Sequence, residues 1–155
     1  MYPLILTLHS IIRWVVLILA VVSVVRALLG WFSNKEWTAL DDRLGMLFST
    51  GMDVQVLLGF ILYVFLSPLT RSALQGFGAA MSNSVLRYWS VEHILLMIVA
   101  LILTHAGRAT SKAAQGARGS HRRAALFFGL ATLAILLAIP WPFLAYGRPL
   151  LRLGL

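Results

Sequence analysis

The sequence has no cysteine and few charged residues. Without a thiol, the chain cannot form iron–sulfur clusters or thiolate metal sites, and it cannot attach a c-type haem through a C-x-x-C-H motif. Histidine is then the side chain left to bind a soft or borderline metal strongly. Only 12% of the 155 residues are charged, whereas a soluble domain has about a quarter. The scarcity of charge argues against a soluble domain.

What the sequence does contain is long apolar runs. A helix of about 20 mostly apolar residues spans the hydrocarbon core of a bilayer, and four stretches reach this length. We therefore predict an all-α fold, an integral membrane four-helix bundle with up-down-up-down topology and short loops. It forms a single transmembrane domain over residues 1–155, with helices at about 4–32, 44–66, 88–107 and 123–143.

The net charge of +8 is attributed to the loops and not to nucleic acid binding. Basic residues of membrane proteins set orientation and meet anionic headgroups. The predicted partners are the lipid bilayer and other membrane subunits, with no nucleic acid. The side with more basic residues faces the cytoplasm. The first and third loops with their flanks hold Arg26, Lys35, Arg43, Arg108, Lys112, Arg118, Arg122 and Arg123, and the other side holds Arg71, Arg87, Arg148 and Arg152.

This imbalance predicts a multi-pass protein of the bacterial inner (cytoplasmic) membrane with both termini on the outer face. Local signals refine the helix ends. Asp41 or Asp42 is predicted to cap the second helix, and Pro68 to begin a short surface helix after it. Pro140 and Pro142 predict the end of the fourth helix.

Two histidines fall at similar depth on the outer half of different helices. His9 lies one to two turns inside the first helix, and His93 lies similarly deep in the third. Neutral imidazole is a common iron ligand, and bundles hold cofactors between facing helices. The pair therefore predicts the two axial ligands of one haem b between helices one and three. The alternative is that each imidazole hydrogen-bonds within the bundle.

Arg13 lies one turn from His9 on the same helix face. Its charge needs a carboxylate, and Asp53 and Glu92 are the two that fall well within the predicted helices. We predict an Arg13–Asp53 ion pair between helices one and two, with Glu92 nearer the outer surface. The alternative is a proton or quinone site that Asp53 or Glu92 lines.

His105 is the candidate for a second site, either a second haem or a quinone. It follows His93 by twelve residues, about 18 Å along the helix and about 120° around it, whereas two stacked haems need ligands on one face. A single haem is therefore the main prediction. His121, at the edge of the third loop, is predicted to be solvated.

Haem propionates are anionic and favour arginine. Three arginines fall near the outer interface, at the end of the bundle where His9 and His93 lie. The predicted cofactor-binding set is therefore His9, His93, Arg13, Arg71, Arg87 and Arg148, and the alternative for the interfacial arginines is ordinary headgroup anchoring.

Several segments resemble a family of small bacterial four-helix membrane proteins labelled cytochrome B. They are Leu8–Trp14, Leu66–Leu69, Val91–His93, His105–Arg108 and Ile139–Phe143. The resemblance spans nearly the whole chain and implies a b-type haem or a place beside a respiratory or photosynthetic complex. It matches His9 and His93 to the motif histidines, and His105 to a family histidine whose role is open.

The leading hypothesis is a one-electron carrier that acts as a subunit or partner of an electron-transfer complex. The exposed loops offer no nucleophile with a base and no open metal site, so an independent enzyme is not predicted. Two alternatives stay open: a cofactor-free accessory subunit of a larger membrane complex, and a small proton- or quinone-handling membrane protein.

Overall fold

The computed structural model describes residues 1–151, so Arg152, counted above on the outer side, lies outside the described residues. Over that range the chain is helical, without strands. Four helical stretches are long and apolar enough to cross a membrane, and we call them the first to fourth spans: Tyr2–Phe32, Ala39–Leu66, Ser84–Lys112 and Ala117–Ala138. The all-α class and the membrane helical bundle are confirmed.

The ends of the spans differ from the predicted ends. The third span continues to Lys112 and the fourth begins at Ala117, because polar residues can stay helical outside the hydrocarbon core. The fourth span ends at Ala138. Ile139 is extended, with φ −73° and ψ 127°, as expected for a residue that precedes a proline. The predicted stop at Pro140 is therefore correct, but the helix ends earlier than residue 143.

The second span begins with a capping box. Thr38 is the N-cap, and its backbone N–H and its hydroxyl donate to Asp41 Oδ2 at 2.8 and 2.6 Å. Arg26 of the first span donates to Asp41 Oδ1 at 2.7 Å. The prediction that Asp41 or Asp42 is the N-cap was wrong: Asp41 is at N3, where a carboxylate binds back to the cap.

Two short helices connect the second and third spans, Pro68–Gln75 and Phe77–Ser82. The first is the predicted surface helix, with Ser67 as its N-cap. The Asn83 side chain accepts hydrogen bonds from the backbone of Val85 and Leu86, which starts the third span. The fourth span starts after Gly116, whose φ of +78° is disfavoured for residues with a Cβ.

The spans pack in chain order around the bundle, so the first and third face each other diagonally. Phe48 of the second span packs edge-on against Phe128 of the fourth, with ring centroids 5.5 Å apart. Small residues fill most of the remaining core and allow close approach of the helices. Large apolar side chains point outward from every span, as expected for contact with lipid. The buried alanines of the four spans are Ala20, Ala27, Ala100, Ala124, Ala125, Ala131, Ala134 and Ala138.

Two π-helical turns interrupt the second and third spans at one end of the bundle. They cover Leu62–Leu66 and Tyr88–Glu92. A π turn adds a residue to the helical turn, so residues five apart come onto one face. Tyr88 and His93 therefore point together into the bundle, with ring centroids 5.8 Å apart.

Candidate functional site

At the end of the fourth span, the carbonyl group of Ala138 has no helical N–H donor and is available to side chains inside the bundle. In a continuing helix, Ala138 O would accept from the N–H of residue 142 and Leu136 O from that of residue 140. Both positions are proline and have no N–H. Side chains take these places: Trp141 Nε1 donates to Leu136 O at 2.9 Å, and Tyr88 Oη donates to Ala138 O at 2.6 Å.

His93 shares the same acceptor. Its Nδ1 lies 2.8 Å from Ala138 O, and since a carbonyl oxygen only accepts, Nδ1 carries the proton. The other ring nitrogen, Nε2, then has a free lone pair. A histidine that donates one N–H to a backbone carbonyl is oriented in the way that metal-binding histidines usually are.

His9 is held by Gln55 of the second span. Gln55 Nε2 donates to the His9 carbonyl at 3.1 Å and lies 3.3 Å from His9 Nε2. With this assignment, His9 Nδ1 and Gln55 Oε1 are buried and have no hydrogen-bond partner within the described residues. Gly59 lies directly beside the ring, because a Cβ there would be 3.2 Å from His9 Cε1.

The two histidine rings lie together across the diagonal of the bundle. Their centroids are 6.4 Å apart and their planes make an angle of 69°. The prediction that His9 and His93 lie at one depth is therefore confirmed. One metal between two imidazole nitrogens, each about 2 Å away, needs rings at roughly this separation.

The segment after the fourth span folds back over the site. Arg13 Nη2 and Trp14 Nε1 both donate to the carbonyl of Leu150, the latter at 2.8 Å. Tyr146 stacks on the buried Tyr88 with centroids 3.6 Å apart. Residues 139–151, which we call the C-terminal segment, thus reach about three turns along the first span.

The predicted arginines separate into two groups. Arg13 and Arg148 line the cavity beside the histidines, and Arg148 lies over the Trp89 ring at 5.4 Å. Arg71 instead donates to the carbonyl of Phe65, and Arg87 pairs with Glu92 at 2.6 Å. Neither Arg71 nor Arg87 is part of the cavity wall.

The cavity has a volume of about 140 Å³. Its wall combines His9, His93, Arg13 and Gln55 with apolar side chains of all four spans, and Arg148 and Pro149 of the C-terminal segment close one part of it. Arg13 Nε is also buried without a partner in the described residues. The wall of this small, mostly apolar space therefore contains residues whose polar groups are not all satisfied, as ligand sites do.

Asp53 does not pair with Arg13, and that prediction was wrong. Asp53 Oδ1 lies 2.7 Å from His105 Nε2, between the second and third spans. Their side chains are 52% and 47% exposed, on the outer surface of the bundle. Arg13 pairs with a backbone carbonyl instead, as described above. An aspartate at the centre of a span costs about 2.5–3.5 kcal/mol on an insertion scale, so this exposed pair needs an explanation.

His121 is buried, not solvated as predicted. The fourth span starts early enough to include it, and only 1% of the residue is exposed. Its ring packs against Trp37 with centroids 4.9 Å apart, and its Nε2 lies 3.2 Å from the carbonyl of Glu36. This histidine holds the first loop against the fourth span and is not part of the wall of the cavity beside His9 and His93.

Comparisons with protein-family models, with curated proteins and with solved structures find no match to this chain. The functional conclusion therefore depends on the geometry of the cavity.

Sequence reasoning missed Gln55, Tyr88 and the Leu150 carbonyl as parts of the site. Pro142 was a usable signal for Tyr88, because a proline there has no N–H to donate to the Ala138 carbonyl, and Tyr88 donates to it instead.

Proposed function

We propose that the protein is a membrane b-type cytochrome that carries single electrons through one haem held by His9 and His93. The observation that supports it best is the pair of facing imidazoles, 6.4 Å apart on diagonal spans. The orientation of His93 also supports it, because the hydrogen bond from Nδ1 to Ala138 O leaves Nε2 with a free lone pair. A bis-histidine haem needs two ligands of this kind, and it needs no larger metal-binding cluster.

The chemistry of the wall fits a haem, although His9 must change one contact. To bind the haem iron, His9 Nε2 would give up its contact with Gln55 Nε2. That contact, at 3.3 Å, is at the long end for a hydrogen bond. Arg13 and Arg148 are the cations that would hold the propionates. A bound haem would supply one-electron redox chemistry, and the chain's own residues would set its potential through burial and neighbouring charge.

The cavity beside the histidines, in contrast, is too small for the haem macrocycle. A cavity of about 140 Å³ is close to one that holds benzene. Haem binding therefore requires the wall to open. The C-terminal segment is the part of the wall that does not itself belong to a spanning helix, so the proposal includes its displacement from Arg13 and Trp14.

The same proposal covers location and partners. The excess of basic residues beside the first and third connections supports the bacterial inner membrane, with both termini outside. An electron carrier of this size needs a donor and an acceptor, which we propose to be other membrane subunits or a quinol. The resemblance to small cytochrome B proteins supports this reading and stays a prediction.

A reduced-minus-oxidised absorption spectrum of the purified protein tests the proposal. We expect the α band of a b-type haem at about one haem per chain. His93→Ala and His9→Ala should each abolish the band, whereas the control His105→Ala should keep it. A colourless preparation from haem-replete cells would refute the proposal, and a normal band in His93→Ala would refute the ligand assignment.

The size of the cavity also favours a second candidate, a cofactor-free accessory subunit of a larger membrane complex. In that case His9 and His93 would serve only to hydrogen-bond the spans together, through Gln55 and the Ala138 carbonyl. The same spectrum separates the two candidates. A folded, colourless protein that co-purifies with a fixed set of membrane subunits would support the accessory role.

A further inference from the structure

The exposed His105–Asp53 pair is the strongest feature that the proposed cytochrome site leaves unused. It joins the second and third spans at 2.7 Å, and about half of each side chain is exposed. Lipid chains offer no hydrogen bonds, so ionisable side chains on a membrane-facing surface usually have a task or a partner. Within residues 1–151, Asp53 and His105 make no other hydrogen bond.

The atoms that remain free define the ligand chemistry. Only Oδ1 of the carboxylate and Nε2 of the imidazole are engaged, so Asp53 Oδ2 is a free acceptor and His105 Nδ1 is a free donor or acceptor. A ring hydroxyl both donates and accepts, and it satisfies either protonation state of the imidazole. The occupant must also dissolve in the bilayer, because the pair opens toward lipid.

The surroundings of the pair are apolar and bulky. Leu57 is 59% exposed and Ile102 is 61% exposed. Each lies one turn from the pair, at residue i+4 of the second span and i−3 of the third. Close helix–helix contacts in membranes favour small residues, so this surface suits a flexible hydrocarbon tail better than a second helix.

We infer that the His105–Asp53 pair binds the ring of a lipid-soluble hydroquinone, with the tail along Leu57 and Ile102. A hydroxyl of the hydroquinone donates to Asp53 Oδ2, and an oxygen atom attached to the ring contacts His105 Nδ1. Asp53 is two residues from Gln55, which contacts His9 from the core side of the same helix. The ring and the cavity are thus separated by about one helix diameter, roughly 10 Å.

The choice of a redox-active ring rests on the proposed electron-carrier function, whereas the binding contacts do not. Saturation binding of decylubiquinol to the full chain in lipid nanodiscs tests the contacts. We expect saturable binding that Asp53→Asn and His105→Gln each weaken at least tenfold. Asp42→Asn, which removes a carboxylate at the end of the same span, should leave the affinity unchanged. The dimethyl ether of decylubiquinol, which has no hydroxyl, should bind far more weakly.

A photoreactive azidoquinone provides a second measurement that needs no variant. Cross-links within residues 44–54 or 98–109 would support the site, and cross-links confined to other segments would overturn it. Binding that is not saturable, or equal affinity in wild type and both variants, would also overturn it. So would a change from dimer to monomer in Asp53→Asn, because a second copy of the chain would then cover the pair.

The haem-free variant His93→Ala keeps the two proposals distinguishable. If it still binds decylubiquinol with unchanged affinity, the binding site stands whatever the spectrum shows. If the wild-type spectrum shows haem but decylubiquinol does not bind, only the hydroquinone site fails.

Discussion

Tyr88 and His93 meet at one carbonyl oxygen, and this contact can be tested one atom at a time. Tyr88→Phe removes the hydroxyl that donates to Ala138 O at 2.6 Å while it keeps the ring that stacks on Tyr146. We expect a loss of about 1 kcal/mol in stability, measured by denaturation of the detergent-solubilised protein. Tyr2→Phe is the matched control, because that hydroxyl makes no hydrogen bond within the described residues. Equal effects of the two variants would contradict the assignment.

Gly59 tests the position of His9. An added Cβ would lie 3.2 Å from His9 Cε1, so Gly59→Ala should push the ring and weaken haem binding or shift the α band. Gly129→Ala adds the same methyl group where nothing lies within 4 Å, and it should leave the spectrum unchanged. A wild-type spectrum in Gly59→Ala would mean that His9 is not held as described.

At this scale the sequence predicts some contacts and not others. The meeting of His9 and His93 follows from helix depth, which hydropathy gives. The partner of Asp53 depends on how far each helix is rotated, and with only a few polar residues per span the pattern does not fix that rotation. The Leu150 carbonyl is 137 residues from Arg13 in the chain, and backbone acceptors of this kind have no residue-type signal.

Between elements, the third and fourth spans pack closely together at Gly107. An added Cβ would lie 2.8 Å from Phe127 Cβ and from Phe128 Cε1. Gly107→Ala should therefore lower stability by about 1–3 kcal/mol through overpacking. Gly129→Ala on the fourth span should leave stability unchanged or raise it by up to about 1 kcal/mol. Thermal unfolding in detergent measures both, and a stabilised Gly107→Ala would contradict the packing.

The four spans were predictable because long apolar runs leave few other folds. Their ends were less predictable, since helices continue into water and the sequence signal that marks the membrane boundary does not mark the helix end. The π turns at Leu62–Leu66 and Tyr88–Glu92 were not predicted, because no residue type specifies them. They change the register of the third span just before His93, and the site depends on that change.

For the whole molecule, the natural absence of cysteine makes orientation directly measurable. Single cysteines at Gln75, in the second connection, and at Lys112, at the far end of the third span, should react differently with a membrane-impermeant maleimide. We expect Gln75→Cys to be labelled in intact spheroplasts and Lys112→Cys only after permeabilisation. The reverse pattern would place both termini in the cytoplasm.

The fold-back of the C-terminal segment onto Arg13 has a consequence for synthesis. Arg13 is synthesised 137 residues before the carbonyl that it binds. The first span therefore enters the translocon with an uncompensated guanidinium, which makes its early release into lipid unfavourable. We expect the nascent first span to stay beside the insertion machinery until the fourth span arrives, so maturation of the protein depends on synthesis of the C-terminal segment.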